Sequence, residues 1–190
     1  MLYIVVGQWR LPWGFQIYRG KDTPSPTELG LRLLRQLPKI LTQRFEVLVL
    51  ADTAFGSNDF VTKVRQLEHH VLVGVRCNRN LEDGRCLAQL HKRGQQLRLS
   101  GLKSRLHVSW YYFQREDGKW EKRYVICTKT LKASTITWWG RRRWQIEGFF
   151  KTIKHRFSFH RFGESALREG FPRAGSANPE GQQTLIGVYR

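Results

Sequence analysis

A chain of 190 residues with 33 Lys and Arg against 15 Asp and Glu carries a formal net charge of +18. Its 41% hydrophobic and 13% aromatic content excludes a disordered basic tail, because that many large apolar side chains require a core. The length fits one domain with a subdomain insertion, and the charge calls for a polyanionic partner. Nucleic acid stands ahead of an acidic membrane surface, since no basic amphipathic helix with a clean apolar face is present. Cys77, Cys86 and Cys127 form no CxxC pair, which fits a reducing compartment. The apolar start Leu2 to Val6 meets Gln8, Trp9 and Arg10 too early for a leader or a membrane span, so the expected location is cytoplasmic.

In chain order, the β-rich runs 2–7 and 15–19 flank Leu11-Pro12-Trp13-Gly14 and predict a hairpin turning there. Ser25-Pro26-Thr27-Glu28 predicts a helix start from its cap residue, its proline at the first position and its glutamate three residues after the cap. That helix runs to about Arg44, buries Leu33, Leu34, Leu37, Ile40 and Leu41, and is kinked or split at Pro38. Val47 to Ala51 reads as a strand covered on both faces and ended by Asp52. A helix capped by Ser57, Asn58 or Asp59 follows to His69, and Val71 to Val75 reads as a second buried strand, giving a parallel strand-helix-strand unit.

Residues 76–132 read as a β-rich insertion, with strands 106–114 and 120–128 around a turn containing Asp117-Gly118. A long helix is expected from about Ala133 to Phe157. Residues 164–181, rich in Gly, Pro, Ser, Ala and charge, read as a linker or disordered segment.

Most carboxylates fall in turns, at caps or on exposed faces. Asp52 instead sits at the carboxyl end of a buried strand, where open α/β sheets place ligands, although a polar strand terminus is the plainer alternative. At about 100° per residue, Arg143, Glu147 and Lys154 fall within about 40° of one another on the 138–154 helix, beside an apolar stripe of Trp139, Ile146, Phe150 and Ile153. An ordinary Arg143–Glu147 ion pair is the competing reading. Together, a strand-end Asp and a helical Glu among Arg and Lys suit divalent-metal phosphoryl chemistry: carboxylates bind Mg²⁺ and the cations hold phosphate.

VLVLADTAFGS (47–57) and RRRWQIEGFFKTIKHRF (141–157) resemble the insertion-sequence DNA transposases of the DDE type, in the subgroup with a helical Tyr-x2-Arg-x3-Glu-x6-Lys signature. Arg143, Glu147 and Lys154 match its last three positions. The resemblance covers about residues 1–163 and again the last nine. It implies a ribonuclease H-like mixed α/β sheet flanked by helices, with the β-rich insertion between the second and third catalytic carboxylates. The implied chemistry is two-ion cutting and joining of DNA, with Asp52 and Glu147 as catalytic and metal-binding residues and Mg²⁺ or Mn²⁺ as cofactor. Arg143, Lys154, Arg142, Lys151 and Trp144 are the implied DNA contacts. The implied partner is double-stranded DNA bearing terminal inverted repeats, bound by a homodimer in a synaptic complex on the nucleoid, without membrane or small-molecule substrate.

Three departures from that pattern stand out. Gly140 occupies the signature's Tyr position, with Trp139 a partial substitute. The first strand with its Asp is missing, because no acidic residue precedes Asp22, itself a weak replacement in a turn. Residues 164–181 interrupt the continuation, leaving 182–190 as the expected remnant of a C-terminal helix. The expected protein is therefore a truncated and interrupted transposase with impaired catalysis, in which two apolar strands lack their shared partner. The alternatives are a non-catalytic DNA-binding remnant and a basic RNA-binding protein. His69, His70, Cys77, Cys86 and His91 match no common zinc spacing.

Overall fold

The computed structural model describes residues 1–7, 9–115, 117–142 and 186–189. The architecture is a mixed α/β sheet flanked by helices. The strands are β1 (Leu2–Val6), β2 (Trp9–Gly14), β3 (Leu48–Ala51), β4 (His70–Val75), β5 (Gln95–Leu97), β6 (Leu106–Gln114), β7 (Trp120–Cys127) and β8 (Ile186–Tyr189). They form one sheet in the order β2-β1-β8-β3-β4-β7-β6-β5. The helices are α1 (Pro26–Arg35), α2 (Lys39–Arg44), α3 (Asn58–Gln66) and α4 (Ala133–Arg142).

The first hairpin turns earlier than expected. β2 begins at Trp9, two residues after Gly7, whose φ of +59° suits the turn. Pro12 lies within β2, where it is tolerated because β2 is an edge strand. The expected second strand 15–19 does not form.

The Ser25 start is as expected: its side-chain oxygen accepts from the Glu28 amide at 3.2 Å, and Pro26 opens α1. Pro38 splits the helical stretch and sits at the N-cap of α2. Leu33, Leu34 and Leu37 are buried, but Ile40 is 57% exposed, because the break rotates α2 out of the periodicity of α1.

β3 and β4 pair in parallel across α3, which Ser57 caps by accepting from the Phe60 amide. The apolar run in β3 is continuous because each face meets a different cluster. Val49 and Ala51 join Leu2, Ile4, Leu34, Phe55, Phe60 and Val64. Leu48 and Leu50 join Val5, Leu72, Val125 and Ile136.

The 76–132 segment extends this same sheet. β7 pairs antiparallel with β4 and with β6, and β6 with β5. Of the long helix expected at 133–157, α4 is the part within the described residues. The 164–181 segment lies outside them.

Two expectations are corrected here. Residues 186–189 form a strand, not part of a helix, and β1 and β3 do not lack a shared partner, since β8 lies between them. The physical reason is the same for both. Ile186, Val188 and Tyr189 favour extended backbone, and the buried main-chain groups of β1 and β3 require hydrogen-bond partners.

At the start of β4, His70 joins the sheet to the segment after β7. Arg65 donates to His70 Nδ1 at 3.1 Å, and Nε2 lies 2.9 Å from Glu46 Oε1, which identifies the neutral Nε2–H tautomer. Burial and then Arg65 hold this imidazole below its ordinary pKa, outweighing the pull of Glu46. Lys129, which donates to Glu46, is the main cause of the lowered Glu46 carboxyl. His69 is lowered by burial as well.

A lowered native histidine leaves the unfolded chain binding more protons, so stability is complete above the unfolded value of about 6.5 and falls as pH drops below it. Glu46 adds a second loss below its unfolded value of about 4.3. Urea midpoints should therefore decline from about pH 7 to pH 5, and the double substitution His69→Gln/His70→Gln should flatten that decline. An unchanged slope in the double variant would refute the assignment.

Candidate functional site

Asp52 follows the last residue of β3, at the edge where the parallel strands β3 and β4 both end and α3 begins. Its position is fixed locally. One carboxylate oxygen, Oδ1, accepts from the Ala54 amide at 2.8 Å and caps the 3-10 turn Thr53–Phe55. That turn is pressed onto the end of β4. A Cβ on Gly74 would lie 2.6 Å from Thr53 Oγ1, and one on Gly56 would lie 2.6 Å from the Gly74 carbonyl. Glycine at both positions permits the approach, and Phe55 beneath is fully buried against Phe60, with ring centroids 4.8 Å apart.

The strands beside β3 bring no carboxylate to Asp52. β4 reads HVLVGV and β8 reads IGVY, with Ala51 opposite Val73 on one side and Ile186 on the other. Asp59, in the first turn of α3, is paired with Lys63 at 2.8 Å. Asp22, the weak replacement ligand, sits in a turn with φ of +68°. Arg79 donates to Asn58 Oδ1, and Asn58 Nδ2 donates to the Ser100 carbonyl at 2.9 Å, tying the insertion to the start of α3.

The β6–β7 hairpin extends past this same edge. Val75 ends β4 opposite Tyr124, and β7 reaches back from there to Trp120. One hairpin face carries Trp110 and Tyr112 on β6 with Trp120, Lys122 and Tyr124 on β7, since Trp110 is opposite Tyr124 and Tyr112 opposite Lys122. Lys122 Nζ lies 4.2 Å from the Trp110 ring centroid and 4.8 Å from that of Tyr124. Tyr112 and Trp120 are 51% and 67% exposed. Sequence reasoning missed this face, although the two-residue period on either side of Asp117-Gly118 carries its signal.

Of the DNA contacts expected from the sequence, Arg142 is described. Its guanidinium stacks 4.6 Å from the Trp138 ring centroid and 5.9 Å from that of Trp139, and its buried Nε finds no hydrogen-bond partner among the described residues. Arg143, Trp144, Glu147, Lys151 and Lys154 lie outside the described residues. Gly140, at the signature's Tyr position, is buried where α4 meets the sheet: a Cβ there would lie 3.1 Å from Val125 Cγ2 and 3.2 Å from Tyr111 Cε1. Trp139 is half-buried against the second core cluster. The zinc alternative gains no support, because the described residues contain no group of three or more His, Cys, Asp and Glu able to hold a metal. Cys127 is fully buried, its thiol pushed up to about 12 by burial.

A parallel β-α-β unit with an aspartate at its carboxyl edge, inside a mixed sheet flanked by helices, fits the ribonuclease H-like fold of DDE transposases. The chain belongs to the Transposase DDE domain family, whose model matches residues 7–165. No curated protein and no solved structure matches it. Members of this family use divalent metal ions. Among the described residues no group of three or more His, Cys, Asp and Glu gathers around Asp52, whose Oδ2 is left outside the cap. No helix among them is long and apolar enough to cross a membrane.

Substitutions at two positions test this geometry. Asp52→Ala should cost about 1 kcal/mol by losing the cap, whereas Asp52→Asn, which keeps an acceptor oxygen, should cost less in the same denaturant titration. Gly140→Tyr, which restores the signature residue, should destabilise by about 1–3 kcal/mol through overpacking against Tyr111 and Val125. An unchanged midpoint for Gly140→Tyr would contradict the packing of α4 on the sheet.

Proposed function

We propose that this transposase domain binds double-stranded DNA bearing terminal inverted repeats, and that metal-dependent strand cutting by the chain is impaired. The observation that carries the proposal is the setting of Asp52: a rigidly held carboxylate at the carboxyl edge of the sheet, with no second carboxylate on either neighbouring strand. Mg²⁺ or Mn²⁺, when bound in such domains, activates the attacking oxygen and stabilises the leaving one. Asp52 and Glu147 are the two carboxylates assigned to that chemistry, and among the described residues the strands beside β3 supply no third.

DNA binding rests on charge and stacking. The net charge of +18 favours phosphate, and the hairpin past the Asp52 edge adds the exposed rings of Tyr112 and Trp120 on the face that also carries Lys122. Arg143, Lys151 and Lys154 are assigned to phosphates near the transposon end, with Arg142 and Trp144 as further contacts. Pairing of two copies in a synaptic complex and residence on the nucleoid belong to the same reading.

The test incubates the purified chain with inverted-repeat DNA, with and without Mg²⁺ or Mn²⁺, beside Glu147→Ala. The expected result is salt-sensitive DNA binding without nicking, weakened by Trp120→Ala by about 1–3 kcal/mol if the ring stacks on a base. Metal-dependent nicking that Glu147→Ala abolishes would overturn the impairment. A preference for RNA, unaffected by Glu147→Ala, would overturn the DNA assignment and favour an RNA-binding protein.

A further inference from the structure

The slot between β1 and β3 has an unusual property. β8 pairs in parallel with β1 from Leu2–Ile186 to Val5–Tyr189, and antiparallel with β3 from Leu48–Tyr189 to Ala51–Ile186. Its two neighbours therefore run in opposite directions. Any strand placed between them is parallel to one and antiparallel to the other, whichever way it runs. The slot fixes a width of two strand spacings but does not fix polarity.

β8 is also held differently from the rest of the sheet. β1 and β2 are joined by a tight turn, β3 and β4 by the α3 crossover, and β6 and β7 by a hairpin. β8 follows neither neighbour in sequence: Val5 and Ala51 are its partners, whereas Arg142 is the nearest preceding described residue. Its described ties to the sheet are main-chain pairings over four residues, one of them Gly187. Leaving the slot empty is not an option for a folded chain. Leu2 to Val5 and Leu48 to Ala51 are all buried, and their outward N–H and C=O groups would lose their partners. Loss of β8 must be matched by entry of another strand.

We propose that the β1–β3 slot is a strand-exchange site, with β8 as its displaceable occupant and the same segment of a second copy of this chain as the incoming strand. Recognition is by main-chain augmentation, so the incoming segment needs four extended, uncharged residues without proline. Residues 186–189 of a second copy meet this requirement in the identical register.

The test locks the resident strand in the full chain. Val49 and Val188 are register partners in an antiparallel pair, where Cα separations of about 4.5–5.5 Å lie within disulfide range. Oxidised Val49→Cys/Val188→Cys should give an internally cross-linked monomer at low protein concentration and a growing covalent dimer as concentration rises. A fluorescent peptide covering residues 182–190 should exchange into the reduced variant and into the unmodified chain, and be refused by the oxidised monomer. A peptide with the 184–190 order reversed should compete with it. Equal uptake by locked and reduced protein, or no uptake by either, overturns the proposal, as does oxidation that yields monomer alone at every concentration. Should that pair disturb the core, Leu50→Cys/Gly187→Cys, the adjacent register pair, gives the same readout.

Discussion

The hydrogen-bonding demand of β3 organises this molecule. β3 is four residues long and buried on both faces, so each of its main-chain polar groups must find a partner in the sheet. β4 meets that demand on one edge through the parallel crossover of α3. On the other edge the partner is β8, which comes from the far end of the sequence. The placement of Asp52 follows directly, because a residue just beyond a strand so fixed has little freedom. Its own cap on Ala54 and the glycine-permitted contact of the turn with β4 remove most of what remains.

Around that fixed carboxylate, charge and shape point in different directions. The chain is strongly basic, and the β6–β7 hairpin carries aromatic rings and cations past the edge where Asp52 lies. These are features of a surface that meets phosphates and bases. The acidic side is sparse. β4 brings apolar residues and glycine to the edge beside the aspartate, and Asp59 is occupied in a surface pair with Lys63. Membership of the Transposase DDE domain family sets the function as a transposase domain, and the local chemistry bears on how much of it this chain performs.

Gly140 shows how a departure from a family pattern acquires structural meaning. Read along the sequence, a glycine in place of tyrosine is a lost contact. In the structure it is the point where α4 touches Tyr111 and Val125, and the space for a ring is already filled. The nearby rings of Trp138 and Trp139 are engaged with each other, centroids 4.5 Å apart, and with Arg142. The basic and aromatic side chains of α4 are thus partly committed to one another.

Local chemistry made much of the fold legible. The Ser25 cap with Pro26, the break at Pro38, the β3-α3-β4 unit and the 106–128 hairpin each depend on residues close in sequence, whose cap, turn and periodicity signals act over a few positions. Asp52 was legible for the same reason, as the first polar residue after an apolar strand. Three features were not. The first hairpin turns at Gly7 because the edge position of β2 tolerates Pro12, and edge position is a property of the whole sheet. Gly140 is small because of strands that lie far from it in the sequence. The role of Ile186–Tyr189 was decided by tertiary structure alone. An apolar four-residue run carries no information about its neighbours, and main-chain pairing is blind to side-chain identity. Only the buried edges of β1 and β3 determine that it becomes the strand between them.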